Sequence, residues 1–397
     1  MALPIRMKPS PRSETCLLSS IGKSRLSGNG APPPFYRAAV VAHGVDGSGM
    51  QIVPPGSNRP CKIDGTALRI WECLEYPATR DEIVAALRAE YAADGSTLAR
   101  DVETFLSDMA TRGLVVLANP PSREDRLRQR YLWLLKRSLV NLLYPEDELR
   151  WRNPQVWAHL PRGRTRDLVL RDIGRALPDD MGDLRRRKVD GKAFGVAGSH
   201  TMIGLQRLSQ LERCAETLFE ERVPGDFLEA GVCQGGASIF LRALQVSYGQ
   251  RHRLLWAADS FRGLPPATSP VDLELGMHLD GLAWLSYSLE EVRENFRRYD
   301  LLDEGVHFLP GWFGESLPDA PVKQIALLRL DGDLYSSTRE TLDTLYSRVA
   351  PGGFVVVDDY FHFRACSRAV DEFRASRQIE SPIQRGDWNS AQWRKEG

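Results

Sequence analysis

Val223–Leu244 reads VPGDFLEAGVCQGGASIFLRAL. The apolar run DFLEAGV predicts a short buried strand, CQGG a turn, and ASIFLRALQVS a helix, because its apolar residues recur at helical spacing. Together they make half of a βαβ unit, and so point to a parallel sheet. Gly235 and Gly236 let backbone approach a ligand closely at a helix N-terminus, and Glu229 offers a carboxylate at the strand end. The glycines fall at 231, 235 and 236, which is not the dinucleotide GxGxxG spacing, so a nicotinamide cofactor is disfavoured.

The rest of the chain extends this unit. RLLWAADSF predicts a second strand ending at Asp259, thirty residues after Glu229. An acid at that place accepts hydrogen bonds from a ribose diol, which suggests a nucleoside ligand. QIALLRLDGDLYSSTRETLDTLY is a buried strand ending in Asp331-Gly332-Asp333 and followed by a helix; GGFVVVDDYFHF is another, ending in Asp358-Asp359. In an open α/β sheet, ligands lie outside the carboxyl ends of the strands, so these four acids converge on one crevice. Crowded carboxylates need a cation, and short oxygen ligands suit Mg²⁺ or another octahedral divalent ion. The predicted fold class is therefore α/β, a doubly wound Rossmann-like sheet.

A length of 397 residues leads us to expect two domains. Lys plus Arg equals Asp plus Glu at 52 each, which removes any global electrostatic argument for a nucleic-acid or membrane-surface partner. The six cysteines contain no CxxC pair and no zinc spacing, and no stretch has the ~20 apolar residues of a membrane helix. A reduced, cytoplasmic setting is expected.

Residues 1–34 are rich in Ser, Pro, Gly and Arg without a period, and are expected to be a disordered tail. From Phe35 to Ala118 the order is short strands, helices, then a strand. Thr79 and Glu82 have capping-box spacing before Ile83, Leu87 and Tyr91, and Val102, Phe105, Leu106 and Met109 form the apolar face of a further helix. Residues 119–126, opening on Asn119-Pro120-Pro121-Ser122, are expected to be a linker. The amphipathic stretch RLRQRYLWLLKRSLVNLLY then places Leu127, Tyr131, Leu135 and Leu139 at helical spacing for packing onto the second domain, 127–397. Self-association through that helix stays open. A nucleic-acid role for the small unit is disfavoured, since LARDVETFLSDMATR has at least as many acids as bases.

Two resemblances follow from these segments. IDGTALRIWECLE, TRDEIVAALRAEY and DVETFLSDMATRGLV resemble the PqqD-like family, small winged-helix-like domains that bind leader peptides of ribosomally made natural products. GSHTMIGLQRL, VPGDFLEAGVCQGGASI, ADSFRGLP, FLPGWFGESLPDAP, ALLRLDGDLYSSTRETL, PGGFVVVDDYFHF and GDWNSAQWRK resemble the macrocin (TylF-type) O-methyltransferase family, which uses S-adenosylmethionine and Mg²⁺. That resemblance implies a class I methyltransferase fold. It also implies that Glu229, Gly231 and Gly235 lie near the cofactor's methionine end, Asp259 and Ser260 near its ribose, and that Thr201 and Met202 close over it. Asp331, Asp358 and Asp359 match metal ligands, and Asp333 matches the general base. Cys233-Gln234 and Phe361 depart from the family pattern beside the expected cofactor and acceptor positions, and Phe361 and Trp388 are expected to neighbour the acceptor.

The expected activity is divalent-metal-assisted O-methylation. The expected acceptor is a hydroxyl or carboxylate of a ribosomal peptide precursor, recruited by the small domain. The alternatives are a sugar hydroxyl on a glycosylated small molecule, or an inactive binding scaffold.

Overall fold

The computed structural model describes residues 35–37, 41–46, 49–53, 61–63, 65–74, 78–88, 95–112, 114–117, 122–145, 181–192, 198–280, 282 and 285–397. The tail expected over 1–34 and the prolines at 120 and 121 lie outside them. The chain divides into two compact units, Met1–Arg126 and Leu127–Gly397.

In the first unit, β2 (Val41–Asp46), β3 (Gly49–Val53) and β4 (Cys61–Ile63) form an antiparallel sheet, and β1 (Phe35–Arg37) pairs antiparallel with β5 (Val115–Leu117). Helices α1 (Gly65–Cys73), α2 (Arg80–Arg88) and α3 (Gly95–Thr111) lie between β4 and β5 in the chain. Thr79 caps α2 as its spacing requires: Glu82 N donates to Thr79 Oγ1 at 3.2 Å, and Thr79 N donates back to Glu82 Oε2 at 2.9 Å. Ile83, Leu87, Val102, Phe105, Leu106 and Met109 bury their side chains in one cluster with Trp71.

Helix α4 (Arg123–Leu139) begins within residues 119–126, the stretch expected to be a linker, and continues into the second unit. Ser122 and Asp125 cap α4 reciprocally, Asp125 N donating to Ser122 Oγ at 3.0 Å and Ser122 N to Asp125 Oδ2 at 3.2 Å. Its buried face is Leu132, Leu135 and Leu139; Leu127 and Tyr131, expected on that face, are exposed. After α5 (Met181–Asp190) and α6 (Gly204–Glu220), the chain alternates β6 (Asp226–Ala230), α7 (Gly236–Ser247), β7 (Leu255–Asp259), α8 (Pro270–Glu274), α9 (Leu289–Arg298), β8 (Val306–Pro310), α10 (Phe313–Ser316), β9 (Ile325–Leu330), α11 (Tyr335–Leu345), β10 (Val349–Val357), α12 (Arg364–Ser376), β11 (Gln384–Arg385) and β12 (Ala391–Arg394).

These strands form a seven-stranded sheet in the order β11-β12-β10-β9-β6-β7-β8. The run from β10 to β8 is parallel, while β12 runs antiparallel to β10 and to β11. Unbroken apolar strands are what a sheet covered on both faces demands. Phe227 and Leu327 enter the core with α6 and α7, whereas their neighbours Leu228 and Leu328 enter the opposite core with α11 and α12. From β6 the chain moves outward through β7 to β8, then returns to place β9 on the other side of β6. That reversal opens a crevice at the carboxyl ends of β6 and β9.

Candidate active site

The glycines of the opening turn are dictated first by crowding. Gly231 has φ +92°, and a Cβ there would fall 1.8 Å from the Asp331 carbonyl oxygen. The ends of β6 and β9 therefore touch only because position 231 has no side chain. Gly235, the N-cap residue of α7, has φ +87° and would meet Val292, while a Cβ on Gly236 would fall 2.3 Å from the His200 carbonyl oxygen. Gly231 lines the crevice, and Gly235 packs against Val292 and Phe296.

The crevice is a cavity of about 630 Å³. Thr201, Met202, Glu229, Asp259 and Ser260 line one part, and Asp331, Asp333, Asp358 and Asp359 another. Asp259 closes the glycine turn: its Oδ2 accepts from Val232 N at 2.8 Å and Cys233 N at 3.3 Å, and its Oδ1 from Phe261 N at 2.7 Å. Ser260 Oγ reaches Asp259 Oδ1 at only 3.4 Å and donates to Gly263 O at 2.6 Å. Glu229 is not free either, since it is buried between the Arg329 guanidinium and the Ser238 hydroxyl. Burial pushes its carboxyl up, against the pull of Arg329.

Two buried arginines organise the other acids. Arg329 pairs with Glu229, with Asp331 at 2.9 Å and with Asp358 at 2.6 Å. Arg207 pairs with Asp358 and, at 2.8 Å, with Asp387. Burial acts to raise Asp358, but Arg207 and then Arg329 outweigh it and hold the carboxyl below its usual range. Asp331, Asp333 and Asp359 are different: each offers an oxygen within 4.8 Å of the others. Burial followed by the neighbouring acids raises Asp331 and Asp359 well above the carboxylate range, and pushes Asp333 up to about 7, with Asp331 its main charged neighbour.

The donor set fits a hard divalent ion on a direct observation. Asp359 Oδ2 is buried with no hydrogen-bond partner, and three acids share one small space. The three converging acids include Asp333 in place of the Asp358 expected from the sequence. Asp358 is instead engaged by Arg207 and Arg329, one on each carboxylate oxygen.

The acceptor side also differs from expectation. Phe361 and Trp388 do not line the cavity: Phe361 lies under the Arg385 guanidinium at 3.4 Å, and Trp388 Nε1 donates to Asp190 O at 2.6 Å. His362 and Phe363 line it, as do Leu264, Pro265, Leu279 and Leu282 from the segment between β7 and α9, and Phe363 shares an apolar cluster with Leu264 and Leu279. Arg207, Arg329 and Asn389 are site residues that motif reading passed over. Arg329 does carry a signal, as the lone charge inside the apolar strand IALLRL.

A doubly wound sheet with its acids at the strand ends and its crevice at the switch point defines a class I methyltransferase fold. The structure is similar to that of the O-methyltransferase NovP, with a TM-score of 0.57 and 37% identity, covering 68% of this chain and all of that one. The chain belongs to the macrocin O-methyltransferase (TylF) family, whose model matches residues 128–395. It is an S-adenosylmethionine-dependent O-methyltransferase of natural-product biosynthesis. A second model, coenzyme PQQ synthesis protein D (PqqD), matches residues 49–115.

Among curated relatives, the chain is 40% identical over 270 residues to the 8-demethyl-8-(2,3-dimethoxy-alpha-L-rhamnosyl)-tetracenomycin-C 4'-O-methyltransferase of Streptomyces olivaceus, covering 67% of this chain and 93% of the relative. It is 45% identical over 201 residues to the mycinamicin III 3''-O-methyltransferase of Micromonospora griseorubida, covering 50% and 79%. Among the described residues no helix is long and apolar enough to cross a membrane.

Proposed function

We propose that the acceptor is a sugar hydroxyl on a glycosylated small molecule, and that Asp333 removes its proton. The observation that carries this reading is Asp333 itself, raised to about 7 inside the crevice beside Asp331 and Asp359. A carboxyl with that affinity is half deprotonated near neutral pH and has the driving force to take a proton from an activated alcohol. A carboxylate acceptor needs no such base. The names of the relatives, which specify a rhamnosyl 4' position and a 3'' position, support the sugar over the peptide precursor expected from the small domain.

S-adenosylmethionine would supply the methyl group from its sulfonium; Glu229, Gly231, Thr201 and Met202, which line the cavity, would hold it, and Asp259 and Ser260 would face its ribose. A divalent ion such as Mg²⁺ would be held by Asp331 and Asp359 with Asp358 in reach, and would lower the pKa of the hydroxyl. Asp333 would take the proton released by the acceptor hydroxyl as its oxygen receives the methyl group and the sulfonium leaves as a neutral thioether. The apolar wall of Leu264, Pro265, Leu279 and Leu282 excludes water from this line of attack. A cytoplasmic setting is part of the proposal, consistent with Cys214, Cys233 and Cys366, which form no disulfide.

The test is turnover of the full chain on a glycosylated small molecule, followed by mass spectrometry, with and without chelator. A mass gain of one methyl group, abolished by chelation, is the expected result; turnover that ignores chelation removes the ion from the proposal. The second reading, a peptide precursor brought in by the first unit, rests on the PqqD match alone. Methylation of a precursor peptide but of no glycoside would establish it.

A further inference from the structure

The segment Gly386–Ser390, between β11 and β12, reaches the acid cluster through one side chain. Asn389 is buried at 2% exposure, and its Nδ2 donates to Asp359 Oδ1 at 2.9 Å. The amide orientation is fixed by that bond, because turning it over would set an oxygen against a carboxylate oxygen. Asp387 holds the segment from beneath: its Oδ1 accepts from Asn389 N at 2.8 Å and Ser390 N at 2.7 Å, while its Oδ2 pairs with Arg207 at 2.8 Å. Phe361 N donates to Asn389 O at 2.9 Å, which ties the same residue to the turn after β10.

Two atoms then stand out. Asp359 Oδ2 and Asn389 Oδ1 are both buried without a hydrogen-bond partner, and both residues line the cavity. A buried amide used only for packing has both ends satisfied. Here one end is spent orienting a carboxylate and the other faces no protein donor.

We infer that Asn389 is a positioning residue for the divalent ion: by taking Asp359 Oδ1 it turns Oδ2 toward Asp331 and Asp333. Such outer partners orient a ligand that is otherwise free to rotate. This rests on the reading that the acid trio holds a divalent ion, and the experiment separates the two claims.

Manganese(II) is titrated into the full chain and free ion is followed by electron paramagnetic resonance, with S-adenosylmethionine affinity measured calorimetrically on the same preparations. Asn389→Leu keeps the branched shape, adds volume and removes the donor; Asn389→Ser covers the case where leucine does not fit, with a hydroxyl too short to reach. The expected result is manganese affinity weakened about 10- to 100-fold in either folded variant, with cofactor affinity unchanged. A variant that melts earlier but binds manganese as tightly as the parent overturns the role of Asn389. A parent chain that binds no manganese overturns the ion reading, and the inference with it.

Discussion

Asp333 occupies a backbone conformation that few side chains accept, with φ 54°, at the point where β9 gives way to α11. That strain, together with a carboxyl raised to about 7 from an ordinary 3.8, marks a group held for chemistry rather than for stability. As a base, Asp333 works ionised, and Asp333→Asn is expected to lose turnover by ~10²–10⁴-fold while still binding cofactor. Unchanged turnover in that variant would remove Asp333 from the mechanism. A carboxyl raised on folding binds its proton more tightly in the folded chain, so its contribution is complete below the unfolded value and lost as pH rises through about 7. In chelator, melting temperature is therefore expected to decline from pH 5 to pH 8, and Asp333→Asn to melt higher than the parent at pH 8. The acids themselves were legible in the sequence because a strand that ends in Asp declares where its carboxyl end lies. Their partners were not. Glu229 and Arg329 are 100 residues apart and meet because β6 and β9 pair in a register that sets them side by side. Only the sheet order reveals that, and with it the reason both oxygens of Asp358 meet arginines while Asp359 Oδ2 has no hydrogen-bond partner.

At the level of elements, periodicity marked the strands that carry the acids and the amphipathic helices around them, because buried strands and amphipathic helices advertise themselves locally. It could not choose between faces of α4, where Leu127-Tyr131 and Leu132-Leu135-Leu139 are both apolar sets at helical spacing, and packing selected the second. Nor could it find the cap of α11. The N-cap residue there is Leu334, which has no side-chain acceptor, and the cap comes instead from α8. Asp272, fully buried, accepts from Tyr335 N at 2.7 Å, from Ser336 N at 3.1 Å and from Ser336 Oγ at 2.8 Å. This one carboxylate ties the segment that forms the apolar wall to the helix that follows Asp333. Asp272→Ala removes a cap worth ~1 kcal/mol and strands buried donors worth ~1–3 kcal/mol more, so a loss of about 2–4 kcal/mol is expected in denaturant melts. Because the wall is loosened as well, KM for the acceptor is expected to rise more than the dissociation constant for cofactor. Equal stability in parent and variant would show that the two elements hold their positions without this bond. Gly231→Ala is expected to be more severe, since the Asp331 carbonyl is backbone and has nowhere to move.

For the whole molecule, the question is what a chain that carries its catalytic residues in 127–397 does with the unit before it. Every acid, arginine and glycine of the crevice belongs to the second unit, and the family model begins at residue 128. A chain starting at Ser122 keeps Ser122 as the cap of α4 and removes the rest of the first unit. If the acceptor is a glycosylated small molecule that enters the crevice directly, this shortened chain is expected to keep kcat/KM within about threefold of the parent, as an independently folded domain does. A peptide acceptor predicts something else. A precursor held by the first unit presents its reactive residue at a raised effective concentration, and removing that unit costs about 10²–10⁴-fold in kcat/KM with kcat at saturation unchanged. The two acceptors are thus distinguished by one ratio, measured on parent and shortened chain with the same substrate. A large loss confined to kcat/KM would assign the first unit to substrate capture and return the peptide precursor to the site; near-equality leaves the sugar hydroxyl as the acceptor and the first unit outside the methyl-transfer step.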